Sequence, residues 1–306
     1  MERMNIHDYL SQYSGKCVYF YANPGNAGDS AIAAATWQLF DRHQIDVRSF
    51  DPGKHSNLTG QIVMYGGGGN LVPAYRAASD FLRRYHDVAE KLVLLPHTIV
   101  GHRELLRDLG PNVDIICREI LSYENVIGSG TRANVLLMDD LAISLDIARL
   151  REEALSPYRM IVDSSSREDN RDGLKVASRY ARGLKSRVKL YGRSVLNGDG
   201  LNPKVLNCFR MDKEASGRAI PKDNVDVSVL LSYGTQSRRL AMFSAREFVS
   251  FIDLFSEVRT DRLHVAIIAA LLRKQVHLYG NNYFKIRAVY EMSLRDAFPN
   301  VIWMQS

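Results

Sequence analysis

The sequence contains no apolar run approaching the ~20 residues a membrane-crossing helix needs. Its clearest apolar stretch, Val265 to Leu272, is far shorter. The opening residues, MERMNIHDYL, lack the apolar h-region of a signal peptide, so the expectation is a cytoplasmic protein. Cysteine is scarce and odd in number. Cys17, Cys117 and Cys208 each sit in a strand-like apolar run without metal-ligand spacing, and they read as buried thiols. No cluster of His, Asp and Glu has convincing ligand spacing either, so no metal is expected. The four glycines Gly66 to Gly69 are followed by Asn70 and Leu71 rather than by Lys-Ser/Thr. That spacing is neither a phosphate-binding P-loop nor a dinucleotide fingerprint, and neither ATP nor NAD is expected.

What is present is an ordinary globular composition, 46% hydrophobic and 24% charged, over 306 residues. That length suggests two domains, each with enough chain for a core. The formal charge of +6 is unevenly placed: from Arg167 to Arg193 nine Lys or Arg face three Asp or Glu, a local excess of 9 − 3 = 6 that equals the whole-chain value. Lys175, Arg179 and Arg182 recur at i, i+4, i+7 and so share one helix face. That face suits anionic lipid headgroups, a phosphorylated acceptor, or plain solvent. No aromatic interleaving or known motif points to nucleic acid.

The first 145 residues read as repeated strand–turn–helix units. KCVYFY (Lys16 to Tyr21) is a strand, ANPGNAGDS (Ala22 to Ser30) a turn-rich loop, and a helix follows from Ala31 to about His43. QIVMY (Gln61 to Tyr65) is a second strand running into the glycines. KLVLL (Lys91 to Leu95) is closed by Pro96, His97 and Thr98, VDIIC (Val113 to Cys117) is followed by Arg118 and Glu119, and VLLM (Val135 to Met138) by Asp139. Asp29, Asn70, His97, Arg118 and Asp139 thus recur at the carboxyl edge of successive strands, where open α/β sheets bind ligands. Asp29 suits two roles, helix N-cap or general base. Four successive glycines each cost backbone entropy, which implies close backbone approach or positive φ.

Residues 146–203 differ in character and read as a basic inter-domain segment; residues 204–306 form the second domain. VLNCFR from Val205 is a strand, Val225 to Leu231 another, and Ser244 to Phe255 a helix. In FSEVRTDRLHVAIIAALLRKQVHLYG (Phe255 to Gly280), Thr260 is the expected N-cap of a buried helix beginning near Asp261, followed by a strand at Gln275 to Tyr279. Helix N-termini stabilise anions, and Arg262 and His264 in that first turn suit a phosphate or carboxylate. Asn281, Asn282 and Lys285 follow the last strand. Two α/β units facing each other imply a ligand cleft.

Taken in order, Asn26-Ala27-Gly28-Asp29, Gly66-Gly67-Gly68-Gly69-Asn70-Leu71, Leu95-Pro96-His97-Thr98, Arg118-Glu119 with Ser122, Arg262-Leu263-His264 and Asn282-Tyr283-Phe284-Lys285 resemble the polysaccharide pyruvyl transferase family. The resemblance runs from about residue 18 to 290, outside the basic segment. His97 stands where the family often has Gln, and Glu119 where it often has Asp. The resemblance implies an α/β fold of two facing Rossmann-like domains, GT-B-like, with the active site in the inter-domain cleft. It also implies transfer of the enolpyruvyl group of phosphoenolpyruvate onto two sugar hydroxyls as a ketal, in exopolysaccharide or capsule assembly. Phosphoenolpyruvate is then donor substrate, with no cofactor, and the acceptor is a sugar, plausibly lipid-linked at the inner membrane face.

Such a donor carries a phosphate and a carboxylate, which guanidinium groups bind bidentately. Arg118 and Arg262 are the expected clamps, with Lys285 a third. His264 is expected as acid or phosphate-binding cation, Asp29 as base, and His97 to orient or deprotonate the acceptor. Asn26, Gly67, Gly68, Asn70, Glu119 and Asn282 complete the expected substrate-binding set. A nucleotide-sugar glycosyltransferase of the same fold, or a non-catalytic polysaccharide-assembly protein, are the alternatives.

Overall fold

A computed structural model describes residues 3–53, 57–153, 157, 170–196, 204–212, 214–215, 217–281 and 284–304. The chain divides into two compact units: residues 1–24, 32–145 and 291–293 form the first, and residues 25–31, 146–290 and 294–306 the second.

Among the described residues the first unit holds a seven-stranded parallel sheet. Its strands are β1 (Cys17–Tyr21), β2 (Asp46–Ser49), β3 (Ile62–Tyr65), β4 (Gly68–Leu71), β5 (Lys91–Ile99), β6 (Val113–Cys117) and β7 (Asn134–Leu137). The order is β2-β1-β3-β5-β6-β7, with β4 paired to β5 off this path. A parallel sheet covered by helices is buried on both faces, and its strands read as continuous apolar runs. Every residue of β6 is accordingly buried. One core cluster runs through Tyr65, Phe81, Tyr85, Leu92, Leu94, Ile115 and Val126.

The second unit holds a four-stranded parallel sheet of β8 (Val205–Cys208), β9 (Glu257–Thr260), β10 (Gln275–Tyr279) and β11 (Val301–Met304), in the order β11-β10-β9-β8. Helices Arg238–Ile252 and Leu263–Leu271 bury Phe243, Phe248, Phe251 and the run Val265 to Ala270. The architecture is α/β with parallel sheets. No helix among the described residues is long and apolar enough to cross a membrane.

Several elements differ from expectation. Pro96 and His97 do not close a strand: β5 continues to Ile99, and its pairing with β6 shifts register between Leu94 and His97. Pro96 has no N–H to give a ladder, so the strand absorbs it with an irregularity. The glycine run is partly strand, Gly68 pairing with His97 and Leu71 with Ile99. Val225 to Leu231 mimics strand alternation but contains helix Val227–Leu230, which buries Val227 and leaves Val229 exposed; Leu231, four residues on, is buried too. The first long helix begins at Ala27 rather than Ala31, and helix Leu263–Leu271 begins after Thr260, which is still paired in β9. Arg262 is the N-cap residue, and its N–H donates to Thr260 Oγ1 at 2.9 Å.

Candidate active site

The sharpest convergence of motif residues lies in the second unit. Residues 25–31 group there, and Asn26 and Asp29 cap helix Ala27–Arg42 reciprocally. Gly28 N–H donates to Asn26 Oδ1 at 2.8 Å, and Asn26 N–H donates to Asp29 Oδ2 at 2.8 Å. This is the arrangement of a capping box, with Asp in place of Glu. Gly25 is compelled by it, since a Cβ there would run into the Asp29 carboxylate. Gly28 is compelled by something from the far end of the chain: a Cβ would lie 2.8 Å from His264 Cγ and 2.9 Å from His264 Cβ. The Arg262-Leu263-His264 turn therefore seats its imidazole against the backbone of the Asn26–Asp29 turn.

Beside that seat runs a chain of alternating charges. Lys285 Nζ lies 3.4 Å from Glu214, which also pairs with Arg210 at 2.6 Å. Arg210 also forks onto Asp212 at 3.0 and 3.1 Å, Asp212 lies 3.2 Å from Arg262, and Arg262 ends the chain on Asp226. Arg262 is 5% exposed. Burial would raise the Asp212 carboxyl, but Arg210 and Arg262 overcome it and bring it down to about 2. Both Arg262 and Lys285 thus carry carboxylate partners. Asn282 lies outside the described residues.

The first unit holds the other expected residues in three separate settings. Arg118 is sealed in the core, 1% exposed, with Nε donating to Thr98 Oγ1 at 2.9 Å and Nη1 to Asp140 at 2.6 Å. Glu119 is buried as the N-cap of helix Ile120–Ile127, accepting from Ser122 N–H at 2.9 Å and from Ser122 Oγ. Burial pushes its carboxyl up. His97 is fully buried, its Nε2 2.9 Å from Asn70 Oδ1 and 3.1 Å from Asn70 N. Asn70 Nδ2 donates to Tyr65 Oη at 3.3 Å, and Tyr65 Oη donates to Asn23 Oδ1 at 2.8 Å. Gly66 and Gly67 permit backbone-to-backbone approach here, a Gly67 Cβ falling 2.9 Å from Pro96 O. Gly68 sits in register with His97.

Sequence reasoning missed Asn23 and Tyr65, although both stand at carboxyl strand edges, and it missed the carboxylates Asp212, Glu214 and Asp226. Asp139 meets Arg3 at 2.9 Å and Ser293 Oγ at 2.6 Å. Cys117 and Cys208 are buried thiols pushed up by burial, Cys208 to about 12, so neither is a ready thiolate; Cys17 is half-buried. No group of three or more His, Cys, Asp or Glu among the described residues could hold a metal.

A model of the polysaccharide pyruvyl transferase family matches residues 26–283, most of the chain. The chain belongs to the polysaccharide pyruvyl transferase family. The matched span of this pyruvyl transferase family begins at the Asn26 cap and includes the Arg262–His264 turn. The chain is also similar to a crystal structure of a protein from Klebsiella pneumoniae subsp. pneumoniae NTUH-K2044, titled a functional uncharacterized protein. Identity is 28%, coverage 98% of this chain and 97% of that one, and the TM-score 0.72. No curated protein matches.

Proposed function

We propose that the chain is a ketal-forming transferase that moves the enolpyruvyl carbons of phosphoenolpyruvate onto two hydroxyls of one sugar, in bacterial exopolysaccharide or capsule synthesis. The observation that carries this reading is the seating of His264 on Gly28, beside an Arg262 held in a chain of exchangeable ion pairs. In the reaction, a proton adds to the donor's methylene carbon and leaves an oxocarbenium-like centre. One sugar hydroxyl attacks that centre and loses its proton. The second hydroxyl then attacks the same carbon and gives up its proton as the bond from that carbon to the bridging oxygen breaks, so that phosphate leaves with that oxygen and the ketal closes.

His264 is assigned as the acid, or as a phosphate-binding cation, and Asp29 as the base. Arg262 and Lys285 are assigned to the donor's anionic groups, which replace Asp212, Asp226 and Glu214 as their partners. Arg118 and Glu119, committed to a buried ion pair and a helix cap, are assigned to the fold. His97 is a positioning residue that orients Asn70. The reaction is assigned to the cytoplasm, with a lipid-linked sugar as the favoured acceptor.

Titration with phosphoenolpyruvate tests the reading, because any ligand that binds only the native state raises the melting temperature by mass action, about 2.7 kcal/mol at a hundred times Kd. A rise at millimolar phosphoenolpyruvate is expected. Stabilisation by nucleotide sugars with no response to phosphoenolpyruvate would transfer the chain to glycosyl transfer.

A further inference from the structure

The second unit contains a cavity of about 840 Å³, lined by basic side chains to which the reaction above assigns no role. Helix Asn170–Leu196 turns one face onto it: Arg179, Arg182, Ser186 and Lys189 follow at i, i+3, i+7 and i+10. Lys222 adds a fifth polar group from the segment before helix Val227–Leu230. Arg179 is fixed in the wall, donating to Ser232 O at 2.6 Å. Arg182, Lys189 and Lys222 have no ion-pair partner among the described residues. Two carboxylates, Asp212 and Asp226, also line the cavity, but both are neutralised by Arg210 and Arg262. Arg179, Arg182, Lys189 and Lys222 outnumber these two carboxylates even where a donor takes over Arg262, so the cavity is cationic in either state.

Its size matters as much as its charge. Pockets for small molecules span about 300–1,000 Å³, and this one lies in the upper part of that range, too roomy for a three-carbon donor. Asn26, from the capping turn that carries Asp29, forms part of its wall, which ties the cavity to the chemistry. We propose that this cavity binds the diphosphate group of an activated acceptor sugar, with Arg182, Lys189 and Lys222 as its principal ligands. The inference rests on the transferase reading for the word acceptor, while the anion site stands on its own geometry. A diphosphate is available from a nucleotide sugar or from a polyprenyl-diphosphate sugar.

Calorimetry on the full chain tests this, comparing wild type with the triple variant R182Q/K189Q/K222Q. The probes are inorganic pyrophosphate, UDP-glucose and farnesyl diphosphate, and phosphoenolpyruvate stabilisation is measured in parallel. Pyrophosphate affinity should fall about tenfold or more in the variant and weaken with added salt, while the response to phosphoenolpyruvate is unchanged. Tighter binding of farnesyl diphosphate than of UDP-glucose identifies a lipid source, and the reverse order a nucleotide source. If neither organic diphosphate equals pyrophosphate, the cavity takes a bare anion and the acceptor assignment falls. Equal pyrophosphate affinity in both proteins overturns the site whatever the donor does. Loss of pyrophosphate binding in the variant, with no phosphoenolpyruvate response in wild type, sinks the donor reading and leaves the anion site intact. Should the triple variant not fold, each single variant is measured, and three unchanged affinities overturn the proposal.

Discussion

Gly28→Ala offers a test of the His264 seat that needs no substrate. Alanine is favoured over glycine in a helix by up to about 1 kcal/mol, so an unobstructed site in this first turn would gain stability. Here the new methyl would lie 2.8 Å from His264 Cγ and 2.9 Å from His264 Cβ. Carbon atoms settle at about 3.5–4.0 Å, so the ring must retreat by roughly 1 Å. Overpacking of this kind costs about 1–3 kcal/mol, which offsets the propensity gain and leaves a net loss of up to about 2 kcal/mol.

The decisive assay is a double-mutant cycle by urea denaturation, pairing Gly28→Ala with His264→Ala. Removing the ring takes away the Cγ contact and leaves the one to Cβ, so Gly28→Ala should cost at least about 1 kcal/mol less in the His264→Ala background. Displacing a catalytic group by about 1 Å can cost about a hundredfold in rate, so the acid role proposed for His264 expects turnover of the single variant to fall to match. A Gly28→Ala protein stabilised by the full propensity gain, with no coupling to His264, would refute the seat.

Other expectations follow from the first unit and the ion-pair chain. Arg118→Met strands the Asp140 carboxylate in the core and should cost about 3–5 kcal/mol in denaturant unfolding, with Arg118→Met/Asp140→Leu recovering much of it. Burial raises the Glu119 carboxyl, so the folded state holds that proton more tightly than the unfolded one, and stability from this group falls as pH rises through the raised pKa. Glu119→Gln should therefore gain on wild type as pH rises above 4.5, and a difference in melting temperature that stays constant as pH rises from there would count against it. Asp212 behaves oppositely. Its carboxyl falls from 3.8 to about 2 on folding, so its contribution is full above 3.8 and is lost as pH drops through 2, and Asp212→Asn should flatten that acid limb.

Much of this architecture was legible because apolar runs and their terminators are local signals. VDIIC announces a strand buried on both faces, and a helix as apolar as Val265 to Ala270 can only be internal. The Asn26–Asp29 and Arg262–His264 motifs stood out because glycine, Arg and His at the ends of apolar elements need a reason beyond packing. What could not be read was the partner of each charge. Arg118 in a sealed pair with Asp140 and Arg262 in an open chain with Asp212 look alike in sequence, since a long-range ion pair leaves no local trace. Pro96 misled for a different cause: proline usually ends a strand, and the shift between Leu94 and His97 that accommodates it is set by neighbouring strands. The alternation at Val225 to Leu231 failed because tertiary burial of Val227 and Leu231 overrode it.

The claim that organises the molecule is that phosphoenolpyruvate gives its three carbons to a sugar. Incubating the protein with phosphoenolpyruvate and a set of polyprenyl-diphosphate and nucleotide-linked sugars, then weighing the sugars by mass spectrometry, tests it most directly. One sugar should gain the mass of a pyruvate ketal with equimolar release of inorganic phosphate, and His264→Ala should abolish both. A sugar that instead gains a hexose with release of a nucleotide, while phosphoenolpyruvate stays intact, would contradict the account.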